Sequence, residues 1–223
     1  MYEFVRGPLA LIAFIIFLLG IAWQIYRFYR VTRPPQASVH RFPRPKPDQI
    51  EAEGAPEEIR KKARREGTVL GMNPSMAVAT TIFHIVLVIT PVFLLSHNIL
   101  IELSWGFQPP SLPEAFTDIL TLVVLGFGAF FLYRRIALPR VRSITTYRDY
   151  LIFAVVFAPY LTGFLAYHQL FAYKTVLILH ILAGELMLVC IPFTKLVHMI
   201  FFFLNRFSMP GEYSFVRGSR VWT

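Results

Sequence analysis

Five long apolar runs, set apart by segments dense in charge and proline, dominate the pattern of the chain. They cover about 9–26, 77–101, 115–133, 150–167 and 175–204. Each is close to or longer than the roughly 20 residues that an α-helix needs to cross the hydrocarbon of a bilayer. What lies outside them is too small to bury a core of its own. The pattern predicts an all-α membrane protein, one membrane domain over 1–223 with five transmembrane helices and a long connection at 27–75. Composition agrees: hydrophobic residues make up 56% of the chain and mean hydropathy is +0.55, more apolar surface than a soluble domain of 223 residues needs.

Charge orients the spans. The first is not a cleaved signal, because only Arg6 precedes it while Arg27, Arg30 and Arg33 follow. Eleven Lys and Arg lie between spans one and two, and Arg134, Arg135, Arg140, Arg142 and Arg148 lie between three and four. The tail adds Arg206, Arg217 and Arg220, whereas the opposite connections carry Glu102, Glu114, Asp118 and Lys174. The positive-inside rule then predicts an outside N-terminus and a cytoplasmic C-terminus. The net charge of +9 needs no nucleic acid to explain it; attraction to anionic lipid accompanies the same residues. Cys190 is the lone cysteine, which excludes an internal disulfide, covalent c-type haem and an iron–sulfur cluster held by this chain.

The cytoplasmic connection opens with Pro34, Pro35, Pro43, Pro45 and Pro47, which favour extended backbone. Beyond Pro56, Glu57 with Lys61 and Glu58 with Lys62 form i,i+4 pairs, so a short surface helix is expected, either a lipid-facing amphipathic piece or a docking surface. Trp105–Pro113 has the prolines and aromatic residues of a loop at the headgroup boundary.

Of six histidines, His40 falls in the proline-rich connection. The other five lie within or at the ends of apolar spans, where ionisable groups are costly and usually functional. A single one is explained by an interhelical hydrogen bond, but four fall at matched depths. His84 in span two and His198 in span five share an inner layer; His97 and His180 share an outer one, about 20 Å from the first along span two. His180 and His198 are eighteen residues apart, which is five whole turns, so both are expected to point from one stripe of span five. Thirteen residues leave His84 and His97 well over a quarter-turn out of line, which Pro91 would have to correct by kinking or unwinding the helix. Imidazoles facing one another across a bundle suit the two axial positions of haem iron. Zinc wants three or four clustered ligands, and each layer offers two, so haem is favoured.

The stretch His180-Ile-Leu-Ala-Gly-Glu-Leu-Met-Leu-Val-Cys-Ile-Pro-Phe-Thr-Lys-Leu-Val-His198 resembles the haem-binding helix of the respiratory nitrate reductase gamma subunit family, most specifically from Pro192 to His198, and Phe83-His84 matches its inner ligand. The resemblance is closer to cytochrome b subunits of the high-molecular-weight cytochrome c complex and related membrane redox complexes of sulfate-reducing bacteria. It is carried by His97-Asn98-Ile99-Leu100, Pro110-Ser111-Leu112-Pro113-Glu114, Asp118-Ile119-Leu120-Thr121, Leu161-Thr162-Gly163 and Tyr167-His168, and covers most of the chain from Thr80 onward. It implies a subunit of the bacterial inner membrane with two b haems and quinol oxidation near the outer one. It implies menaquinol or a periplasmic multihaem cytochrome c as outer partner, a cytoplasmic heterodisulfide-reductase-like Fe–S subunit inside, and further integral membrane subunits. The chain departs from the gamma subunits in one place: their second span-two histidine would fall near Leu94, and here His97 stands three residues later.

The expected inner ligands are therefore His84 and His198, and the outer ones His97 and His180. His168 either belongs to a quinone pocket, replaces His97 as outer ligand, or is an ordinary interfacial histidine. Lys195 either pairs with a haem propionate or snorkels to the interface. Glu185, costly at its depth, either hydrogen-bonds a ligand imidazole or carries protons. Two readings of other classes compete: a haem-free membrane anchor or scaffold, and a proton-relay transporter, for which charged pairs at unwound midplane helices would be the mark.

Overall fold

The computed structural model describes residues 1–32, 71 and 73–208, and among these it is helical with no strand. Five helices are long and apolar enough to cross a membrane. The first begins with a turn at Tyr2–Phe4 and a π-helical stretch at Val5–Leu9 around Pro8, then runs on as α1, Ala10–Thr32. Next come α2, Pro74–Phe93, and α3, Leu95–Trp105. Then follow α4, Glu114–Ala137, α5, Tyr147–Tyr167, and α6, Tyr173–Phe193. A 3₁₀ turn at Lys195–Val197 leads into α7, His198–Ser208. The expected surface helix after Pro56, the docking loop around it, His40 and the tail arginines 217 and 220 lie outside the described residues.

The chain divides into two compact units. One contains Met1–Arg6, α2 to α5 and α6 as far as Gly184; the other contains the chain from Gly7 through α1 and the chain from Glu185. In the first, α4 is the centre, with α2 and α5 packed against it. Phe83 of α2 meets Phe127 and Phe131 of α4 and Phe157 of α5, with ring centres 5.2–6.0 Å apart. Gly128 is what lets α5 come close: a Cβ there would lie 2.5 Å from the Phe157 ring. Val124 and, nearer the start of α4, Thr117 are also buried, whereas Val88, Ile119, Leu161 and Leu179 point outward. Lipid solvates such side chains as well as a core does, so small residues and polar contacts between helices specify the packing. Local signals set the ends. Asp149 Oδ2 accepts from the Thr146 N–H at the start of α5, as a Thr-x-x-acid sequence favours. Gln169 closes that helix in the left-handed region at φ 52, with Leu170 N–H donating to Leu165.

Spans two and five are not single helices. Leu94 is extended between α2 and α3, and Thr194 is extended at φ −122, ψ −174 after α6. In both cases a proline lies two or three residues upstream, and it removes a ladder donor where the helix then yields. The five-turn alignment of His180 with His198 therefore does not hold, because His198 opens a new helix. In span two the break falls between His84 and His97, after Pro91, where a kink or unwinding was expected.

Candidate functional site

His97 and His180 face one another with ring centres 6.0 Å apart and planes inclined at 20°. The break at Leu94 carries His97 there. Pro91 lacks an N–H, which leaves the Leu87 carbonyl without its helical donor, and Tyr160 of α5 supplies the missing hydrogen bond at 2.5 Å. Beyond the break the Pro91 carbonyl accepts from Nδ1 of His97 at 3.0 Å, and the Phe93 carbonyl accepts from Leu112 N–H. Backbone groups in lipid have no water to turn to, so each of these bonds ties the break to a neighbour. The loop that brings Leu112 is itself pinned by buried Asn98, whose Nδ2 donates to the Pro110 carbonyl and to Ser111 Oγ.

On the other side, His180 Nδ1 donates to the Pro159 carbonyl of α5 at 2.9 Å, with Thr162 Oγ1 3.4 Å away. Gly163 makes room for the ring: a Cβ there would meet His180 Cε1 at 3.0 Å. Two imidazoles sharing one metal in line, with bonds of about 2 Å each, bring their ring centres to about 6 Å. The separation found is of that size.

His84 lies midway along α2, its Nδ1 donating to the Thr80 carbonyl at 2.6 Å and its ring edge-on to Phe83. His198, in the other unit, donates from Nδ1 to the Lys195 carbonyl at 2.7 Å. These two rings are exposed, whereas His97 and His180 are half-buried. All four share one feature. A carbonyl can only accept, so Nδ1 carries the proton in each, the outer hydrogen bond by which a metal-ligating histidine is held. Among the described residues no three His, Cys, Asp or Glu gather as a zinc site would require.

His168 differs. Its Nε2 lies 3.0 Å from Asp118 Oδ1, and both side chains are partly exposed at the ends of α5 and α4. Its contact is from Nε2 to a carboxylate rather than from Nδ1 to a carbonyl, so the structure does not bring His168 into the pattern of the other four. Glu185 is buried with neither carboxyl oxygen hydrogen-bonded; it does not orient His180, whose Nδ1 goes to Pro159. Lys195 has an exposed side chain, and its carbonyl serves His198. Sequence reasoning gave no site role to Tyr160, Pro159, Gly163 or Asp118, although the last two lie in segments that carry the resemblance. The Pro-Tyr-x-x-Gly spacing within α5 was the available signal, since a proline and a glycine inside a membrane helix mark a carbonyl and a gap open to a neighbour.

No protein-family model matches the chain. It is similar to a protein of Nitratidesulfovibrio vulgaris strain Hildenborough, with 36% identity over 227 residues that cover 98% of this chain and 96% of that one. That relative's name is only "Protein", which assigns no activity. At this likeness and coverage the two chains belong to one family.

Proposed function

We propose that this member of that family is a di-haem cytochrome b, the membrane subunit of a redox complex in the bacterial inner membrane. His97 and His180 would hold the outer haem, and His84 with His198 the inner. One observation carries the reading: His97 and His180, each donating Nδ1–H to a proline carbonyl, stand with ring centres 6.0 Å apart between apolar helices, and His84 and His198 also donate Nδ1–H to main-chain carbonyls. Haem b supplies a one-electron couple; the chain's residues do the rest. The Pro91, Pro159, Thr80 and Lys195 carbonyls set ring tautomer and direction and raise ligand basicity. Gly163 sets how close the His180 ring stands to α5. Phe83, edge-on to the His84 ring, is itself held by Phe127, Phe131 and Phe157.

The positive-inside distribution supports an outside N-terminus, so the His97 layer lies toward the periplasm. Asp118 Oδ1 lies 3.0 Å from Nε2 of His168, a pairing in which a neutral imidazole would present Nδ1 as a general base oriented by a carboxylate. Oxidation of menaquinol there requires such a base; a periplasmic multihaem cytochrome c is the alternative outer partner. The inner haem would exchange electrons with a cytoplasmic Fe–S subunit on the arginine-rich side, with other integral membrane subunits alongside. An electron crossing the full dielectric couples to the membrane potential at about 2.3 kcal/mol per 100 mV.

The test is a reduced-minus-oxidised spectrum of the purified protein with haem-to-protein stoichiometry. A b-type band with two haems per chain is expected, and absence of any b-type band overturns the reading.

A further inference from the structure

We infer that α1, which carries no histidine, is a positioning element for His198, acting through Gly20, Gln24 and Phe28. The inference rests on His198 being the inner haem ligand, as proposed above.

The break at Thr194 takes Leu196 N–H away from the Pro192 carbonyl, its partner in an unbroken helix, and gives it to Thr194 Oγ1 at 3.3 Å. Pro192 is buried, and a bare carbonyl there is costly. Gln24 of α1 satisfies it, with Nε2 donating at 2.6 Å. One turn earlier, Gly20 allows the approach: a Cβ on it would lie 2.6 Å from Pro192 Cγ and 3.2 Å from Phe193 Cζ. One turn later, buried Phe28 packs on Phe201 of α7 with ring centres 5.9 Å apart. Residues 20, 24 and 28 form one i,i+4,i+8 stripe. The stripe grips the chain before the break, at Pro192, and after it, at Phe201. His198 lies between these grips, and the hydrogen bond that aims its ring goes to Lys195 inside the same short turn. Whatever shifts that turn therefore redirects Nε2 of His198.

The experiment compares the full-length protein with Gln24→Leu, which removes the donor, and Gly20→Ala, which pushes on Pro192 by different chemistry. Leu19→Ala on the exposed face of α1 is the control. Hydrogen exchange of the peptide around 194–199 should quicken about five- to tenfold in Gln24→Leu, the effect of one lost hydrogen bond. Haem-by-haem redox titration and low-spin EPR should show the inner signal moved and the outer one unchanged in both variants. Unchanged exchange, or faster exchange with an unmoved inner signal, overturns the inference. Absence of haem from the unsubstituted protein would sink the cytochrome reading instead, while the exchange data still judge the clamp.

Discussion

Pro91 and Pro192 each stand six residues ahead of a histidine, and each precedes a break in an apolar span, yet the two breaks are repaired from different places. At the break in span two His97 is part of the repair, because its Nδ1 takes the Pro91 carbonyl while Tyr160 and Leu112 take those of Leu87 and Phe93. At the break in span five the repair comes from Gln24 of α1, and His198 donates from Nδ1 to the Lys195 carbonyl of the adjoining turn. One local device thus places two histidines in different ways. His97 is inseparable from the fold of its own helix pair, and the turn that leads to His198 depends on an element far away in sequence.

The largest expected effect separates the two. His97→Ala and His198→Ala should each lose one haem of the two, read from pyridine haemochrome stoichiometry, while His168→Ala keeps both. In haem-depleted protein, His97→Ala should also lower unfolding stability by about 1–3 kcal/mol, because it strips a carbonyl of its donor, whereas His198→Ala should cost less. Equal losses in denaturant titrations would erase the distinction.

Tyr160→Phe comes next, at about 1–3 kcal/mol for the unsatisfied Leu87 carbonyl. The cost should nearly vanish when Pro91→Ala restores the helical donor, a non-additivity that a double-mutant cycle measures directly. A smaller effect is expected from Gly163→Ala, where the new Cβ presses on His180. It should shift the outer haem's potential and leave the inner one in place, with stability changed by no more than about 1 kcal/mol because alanine favours helix. Smallest is Gln169→Gly, which should gain about 0.5–1 kcal/mol by relieving the left-handed residue after α5, with both haem signals unmoved.

Much of this was legible in the chain. The apolar runs located all five spans, and the depth of His97 and His180 brought those two residues together before any contact was known. Run length did not reveal the breaks at Leu94 and Thr194, because hydropathy reports what a side chain prefers and says nothing of whether the next N–H reaches its carbonyl. For the same reason the five-turn spacing of His180 and His198 suggested an alignment that an extended residue cancels. Pro159, Gly163 and Asp118 stayed silent because their meaning depends on which helix lies opposite.

By itself the sequence determined that this is a chain of five apolar helices with five histidines within them or at their ends, since transfer of side chains into lipid is a sum over residues and needs no partner. Only the tertiary structure decided that each of four rings turns Nδ1 to a carbonyl, and that Asp118 takes Nε2 of the fifth. Those choices belong to pairs of groups from different turns or helices, and a hydrogen bond has no value until both of its ends are in place.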